Sequence, residues 1–284
     1  MKIEVKNLKY KYEDYSENSV YALNGCNFDV EENDFLSIVG ETGSGKSTLT
    51  LHLNGLLKAT SGDILIDGKS IYDKDYDLNQ LRYKVALVFQ YPEYQLFAET
   101  VIDDVIFGAL NKGIKKEVAI DKAKEILYSF GFDDTVFNKM PFMLSGGEKR
   151  KVAIAGILIM EPEVLILDEP EARLDPLSKN ELFVLLKKLN EQGKTIIFVN
   201  HNLEDSIEYA KRVLIMKKGE AVACDETYKI FSNESILKTA NIIKPDQLIL
   251  VDELKKKGYS FDDKAISQDN IIQEIIKNRK WLEI

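Results

Sequence analysis

The sequence predicts an α/β protein with a mainly parallel sheet, an antiparallel β subdomain, a helical insert and a small, mostly helical C-terminal extension. Three observations lead there. Four short continuous apolar runs, FLSIVG (Phe35–Gly40), VALVFQ (Val85–Gln90), VLILD (Val164–Asp168) and TIIFVN (Thr195–Asn200), have the composition of strands buried on both faces. Stripes at helical spacing separate them. The octapeptide GETGSGKS, Gly40–Ser47, lies between the first run and such a stripe, the context in which a glycine loop cradles phosphate.

Taken in order, alternation from Ile3 to Tyr12 and from Tyr21 to Val30 predicts two antiparallel strands around the polar loop EDYSENS. Leu49, Leu53, Leu56 and Leu57 form the apolar stripe of the helix after the glycine loop. GDILIDG reads as a further strand. No parallel-strand run occurs between about Tyr91 and Met160, so that stretch is predicted as a helical insert, with Val118–Phe130 one of its helices. Leu182–Leu189 is a helix between the last two buried runs, and RVLIMKKGEAVAC is a hairpin. The expected division is 1–225 for the main domain and 226–284 for the C-terminal subdomain, with dimerisation as its candidate role. Pro245–Lys257 and Gln268–Trp281 are its predicted amphipathic helices, around the turn KKGYSFDD.

Bulk properties exclude several classes. Apolar residues make up 45% and charged residues 30%, ordinary values for a globular chain. The longest apolar runs, such as VAIAGILIM, have about half of the ~20 residues that a bilayer-spanning helix needs. The first residues, MKIEVKNLKYKY, alternate like a strand and contain no signal-peptide core, which leads to the expectation of a cytosolic chain. A net charge of −9 argues against a sequence-independent grip on nucleic acid, which rests on many Lys and Arg contacts to phosphate. Cys26 and Cys224 share no metal-ligand spacing and are read as free thiols.

The glycine loop predicts a nucleotide site. Its backbone N–H groups and the following helix N-terminus suit phosphate oxygens, Lys46 reaches the β/γ-phosphates, and the Ser47 hydroxyl suits Mg²⁺. The nucleotide-contacting set is Gly40, Glu41, Thr42, Gly43, Ser44, Gly45, Lys46, Ser47 and the adjoining Thr48. Asp168, at the end of VLILD, is the candidate metal carboxylate, and Glu169 the candidate general base. Two buried acids at a strand end are costly without a cation, which favours Mg·ATP chemistry over a structural role.

The stretch LSGGEKRKVAIAGILIMEPEVLILDEP, Leu144–Pro170, together with GETGSGKS, Gln90 and His201, resembles the ABC ATPase family over roughly residues 1–225. The fold implied is a P-loop NTPase core with a helical signature subdomain. Ser145, Gly146, Gly147 and Glu148 open a helix and form a second anion site, which in this family closes over ATP held by the partner subunit. The resemblance implies that Gln90 reaches Mg²⁺ and the attacking water, and that His201 contacts the γ-phosphate. It also implies that Tyr12 stacks on adenine, with Tyr10 and Tyr15 as neighbouring competitors, and that Asp175 lies in the loop facing the partner's cradle. His52 is expected to be structural.

FQYPEYQLFAETVIDDVIFGALNKG, Phe89–Gly113, is similar to the energy-coupling-factor branch of that family. This implies an ATP-hydrolysing subunit of an importer for vitamins or transition-metal ions, peripheral on the cytoplasmic face of the membrane. Its implied partners are a second ATPase subunit, a transmembrane coupling subunit and a substrate-capture membrane protein, with no nucleic acid. Pro92–Phe97 would begin the surface gripping the coupling protein, Tyr94 and Phe97 being the docking aromatics and Phe89 core packing. PEARLDP departs from the family, with Glu171 and Arg173 where small residues are common; the two are expected to pair with each other, to face solvent, or to alter communication between the ATP sites.

Overall fold

In the computed structural model, which describes residues 1–12, 20–262 and 264–277, two sheets divide the main domain. The four-stranded sheet has the order β2 (Tyr21–Val30), β1 (Ile3–Lys11), β4 (Ser61–Ile66), β5 (Lys69–Ser70), antiparallel throughout. The loop Glu13–Ser19 lies outside the described residues.

The second sheet has six strands in the order β10 (Glu220–Glu226), β9 (Arg212–Lys217), β3 (Phe35–Val39), β8 (Thr195–Val199), β7 (Val164–Asp168), β6 (Val85–Val88). All but β10 run parallel, and β3 and β8 are buried at every position, as their unbroken apolar composition requires. Register puts Val88 beside Leu167 and Asp168 beside Val199. The residues that follow β6, β7 and β8 therefore emerge together at one sheet edge, where ligands bind in such folds.

Helix α1 (Lys46–Leu53) follows β3. It ends before the predicted stripe does: Asn54 caps it, Gly55 takes φ +70°, and Leu56 is exposed outside the helix. A short helix α2 (Leu78–Lys84), capped by Asp77, was not evident from periodicity. The insert contains a 3₁₀ turn (Pro92–Gln95), α3 (Val101–Asn111), α4 (Lys116–Ser129), α5 (Asp134–Phe137), a second 3₁₀ turn (Pro141–Met143) and α6 (Gly146–Leu158). Its apolar faces, including Val105, Ala109, Ala123, Leu127, Val152 and Ala155, share one core with β7 and with α7 (Pro176–Glu191).

The insert is also held by an ion pair. Arg150, on α6, is 2% exposed. Its Nε and Nη2 donate to the two oxygens of Glu93 at 3.0 and 2.8 Å, and Nη1 donates to the carbonyls of Pro170 and Ala172 at 2.5 and 3.0 Å.

After α8 (Leu203–Tyr209) and the β9–β10 hairpin come α9 (Thr227–Ser232), α10 (Glu234–Ala240), α11 (Asp246–Lys256) and α12 (Gln268–Lys277). Ile230, Phe231, Leu237 and Leu248 pack with Val213 and Ile215 of the sheet, whereas Val251, Leu254, Phe261 and Ile271 form a separate small cluster. The extension thus begins as part of the main core. The last positions of the predicted final helix lie outside the described residues. No helix among the described residues is long and apolar enough to cross a membrane.

Removing one partner of a buried ion pair strands the other, so Arg150→Ala should lower unfolding free energy by about 3–5 kcal/mol. Urea denaturation would measure this; a loss below about 1 kcal/mol would show that the pair does not hold the insert.

Candidate active site

The glycine loop owes its path to close contacts. Gly45, the residue before α1, takes φ +101°, and a Cβ there would stand 2.4 Å from the Ala22 carbonyl oxygen. A Cβ at Gly40 would stand 2.2 Å from the carbonyl oxygen of Met216. Both positions admit only glycine. The β9–β10 turn closes the loop from behind, with Gly219 N donating to the Ser44 carbonyl at 3.0 Å.

Lys46 is buried and curls across the loop, its Nζ donating to the carbonyls of Gly40 (2.8 Å) and Glu41 (3.0 Å). Burial pushes its ammonium below the usual lysine range, opposed by the charges of Glu169 and Asp168. Glu41 and Thr42 are exposed, and Ser44 is buried. The Thr48 hydroxyl lies 3.1 Å from the Tyr12 hydroxyl, which sets the half-exposed Tyr12 ring beside the first turn of α1. Tyr10 is packed edge-on between Tyr12 and His52 at 4.8 and 4.6 Å, so Tyr12 is the more exposed of the two; Tyr15 lies outside the described residues. His52 is fully buried, its Nδ1 bound to the Thr48 carbonyl at 2.7 Å, and burial lowers its pKa, which suits a structural role.

Beside the loop, three strand ends bring their side chains together. Glu169 follows β7 with φ +48°. One carboxylate oxygen accepts from Gln90 Nε2 at 2.6 Å, after β6, and the other lies 2.7 Å from His201 Nε2, after β8. Asp168 is reached by the Ser47 hydroxyl, yet its Oδ1 is buried without a hydrogen-bond partner. Burial pushes this carboxyl above the usual range.

The other sequence-predicted anion site is the start of α6. Ser145 caps that helix in a capping box: its hydroxyl accepts from Glu148 N at 3.3 Å, and the Glu148 carboxylate accepts from Ser145 N at 2.8 Å. Gly146 has open space where a side chain would be, and Gly147 approaches Ser178. Asp175 caps α7, accepting from Leu177 N, Ser178 N and the Ser178 hydroxyl.

A model of the ABC transporter family matches residues 23–172. The chain is 43% identical to the energy-coupling factor transporter ATP-binding protein EcfA2 of Clostridium perfringens (strain 13 / Type A), across 98% of this chain and 99% of that one. The EcfA2 of Clostridioides difficile (strain 630) is 42% identical across 98% and 97%. The chain belongs to the ABC transporter ATPase family, in its energy-coupling-factor branch. Among solved structures, cbiO1 of Clostridium perfringens, part of the ABC transporter complex cbiONQ, superposes with TM-score 0.73 at 35% identity, covering 89% of this chain and 98% of that one. The dimeric post-hydrolysis ATP-binding cassette MJ0796, bound to ADP and Pi, gives 0.70 at 30% identity over 79% and 98%.

Three features of this ABC ATPase depart from the sequence reading. Phe89 is not core: β6 ends at Val88, and Phe89 is 41% exposed. Glu171 and Arg173 do not pair. The Arg173 guanidinium lies over the Tyr91 ring, 4.5 Å from its centre, while Glu171 turns inward and one of its oxygens is buried without a partner. Glu93, read only as part of the docking segment, is the carboxylate that neutralises Arg150. Nothing in local spacing signals that pairing.

Burial pushes the Glu171 carboxyl up to about 7 from the ordinary 4.5, with nearby Asp205 adding to the effect and Lys179 opposing it. The folded chain then holds this proton more tightly than the unfolded one. The associated stability is complete below about pH 4.5 and is lost as pH rises to about 7. Glu171→Gln should abolish that slope, its stability advantage over the parent growing by about 2–3 kcal/mol from about pH 5 to about pH 8. Denaturation at the two pH values would test it; a constant difference would mean that Glu171 does not titrate there.

Proposed function

We propose that Lys46, Ser47, Gln90, Asp168, Glu169 and His201 form the hydrolytic site of this ATPase, and that the chain works as half of a dimer driving a membrane importer. The observation that carries the reading is one contact and its place in the chain: Gln90, 2.6 Å from Glu169, stands two residues before the 3₁₀ turn Pro92–Gln95, which carries exposed Tyr94 and is followed by exposed Phe97. Chemistry and a docking surface share one short segment.

Both carboxylate oxygens of Glu169 are engaged, one by Gln90 and one by His201. Entry of ATP draws Lys46 from the Gly40 and Glu41 carbonyls to the phosphates, where the loop's amides also converge. His201 then turns to the γ-phosphate, and Glu169 takes a proton from the attacking water as the bond to the β-phosphate breaks. Ser47, Asp168 and Gln90 fit Mg²⁺, since Asp168 has an unsatisfied buried oxygen with a hydroxyl beside it. When bound, Mg²⁺ neutralises charge on the phosphates. A cation of this kind is held by few protein groups together with the substrate phosphates.

The start of α6, Ser145–Gly147, is the surface offered to ATP in the second subunit's cradle. The dimeric MJ0796 cassette supports the presence of a second ATPase subunit. Closure with ATP and reopening after hydrolysis follow from the γ-phosphate, the piece whose contacts differ between the states. Tyr94, Phe97 and Phe142, exposed at 74%, 66% and 70%, line a groove of about 560 Å³ between the two 3₁₀ turns. That groove takes a helix of a transmembrane coupling subunit, which in turn bears a capture protein for a vitamin or transition-metal ion. The chain is thereby peripheral on the cytoplasmic face, and residues 226–284 form a subdomain available for contact between ATPase subunits.

Glu169→Gln should bind ATP normally, accumulate as an ATP-bound dimer and hydrolyse ATP about 10²–10⁴-fold more slowly. Turnover at the parent rate would remove Glu169 as the base. Joint replacement of Tyr94, Phe97 and Phe142 by alanine should diminish co-purification of membrane subunits while ATP binding and melting temperature hold. Unchanged capture with a collapse in stability would instead identify these aromatics as packing.

A further inference from the structure

Two residues near the catalytic cluster hold backbone conformations that their side chains disfavour, and they touch one another. Tyr91, directly after Gln90, has φ +58°, and Arg173, four residues after Glu169, has φ +62°. Such positions favour glycine, and strain of this kind persists only where surrounding contacts over-determine it. The contact here is a cation held over an aromatic face, the Arg173 guanidinium 4.5 Å from the centre of the Tyr91 ring.

The position of this stack gives it more than a packing role. Arg173 itself lines the groove, with Glu93, Tyr94, Phe97 and Phe142. Tyr91 begins the 3₁₀ turn that forms one groove wall, and its ring lies 6.0 Å from that of Tyr94. The backbone on either side of Arg173 is anchored: Pro170 and Ala172 accept from Arg150, and Asp175 caps α7. A displacement of the groove wall therefore reaches Gln90 along the chain and the segment after Glu169 through the stack.

We propose that Arg173 and Tyr91 are a positioning pair for hydrolysis, holding the Glu169–Asp175 segment against the Gln90 turn so that what fills the groove sets the alignment of Gln90 and Glu169. The coupling half of this statement rests on the reading of the groove as the docking site for a membrane subunit; the alignment half does not.

Arg173→Gly is the informative variant. It deletes the cation yet supplies the residue that the left-handed backbone prefers, so the melting temperature should stay level or rise. In the purified full-length chain, kcat should nevertheless fall about tenfold with KM for ATP within about twofold of the parent. Tyr91→Leu should do the same, Tyr91→Phe should retain the parent kcat because the ring face remains, and the Tyr91→Leu/Arg173→Gly double variant should be no slower than either single one. An unchanged kcat in Arg173→Gly, or multiplicative losses in the double variant, would overturn the pair. In complexes purified with their membrane subunits, Arg173→Gly should keep the subunits bound but lose the stimulation of ATPase activity that they confer on the parent. If no membrane subunit is captured even by the parent, the groove reading fails while the measurements on the isolated chain still decide the alignment; capture with full stimulation in Arg173→Gly overturns the coupling.

Discussion

A guanidinium withdrawn from water must be met at its N–H groups, and Arg150 is met from two directions at once. Glu93 takes its Nε and Nη2, and the carbonyls of Pro170 and Ala172 take Nη1. Few side chains could do this. Lysine has the charge but not the planar fork that engages a carboxylate side-on while reaching backbone oxygens. Because Arg150 sits on the second turn of α6, the arrangement fixes the start of that helix, with Ser145 to Gly147, relative to both the Gln90 turn and the segment after Glu169. This buried ion pair thus ties the first turns of α6 to the segments that follow β6 and β7.

Around it the chain accumulates unfavourable backbone in a small region. Tyr91, Glu169 and Arg173 all take positive φ, and all lie within a few residues of Gln90 or Asp168. Each is compensated by a particular contact: Glu169 by Gln90 and His201, Arg173 and Tyr91 by each other. Strain concentrated where three parallel strands end is characteristic of sites that must be held in one arrangement and released to another. Glu171 adds a buried carboxyl to the same loop, near Lys179 and Asp205, which form an ion pair at 2.6 Å between α7 and α8.

The C-terminal extension shows a similar division of labour. Its first helices, joined by Leu248 of α11, complete the core over β9, while Val251 and Leu254 of α11 gather with Phe261 and with Ile271 of α12 in a small cluster of their own. Gln247 and Gln268 tie that outer part back through the Ile266 carbonyl and Glu208.

Read alone, the sequence determined the parallel strands, the glycine loop and the acids at the end of β7, because each signal is local: an unbroken apolar run, a fixed spacing of glycines, a carboxylate where a strand stops. Gln90 and His201 came from the resemblance to the ABC ATPase family, which matches them after two other strands, and not from any local signal of their own. The sequence could not determine what the polar side chains of the connecting segments meet. Glu93 and Arg150 are 57 residues apart, and no periodicity relates them. Arg173 finds Tyr91 rather than Glu171 because the backbone turns left-handed at both ends of the contact. Phe89 has the composition of core and adjoins a strand, but the strand ends one residue earlier and leaves its ring exposed. Burial of a run follows from composition, but the partner of a charge, and the exposure of a residue just past a strand end, follow only from how the elements pack.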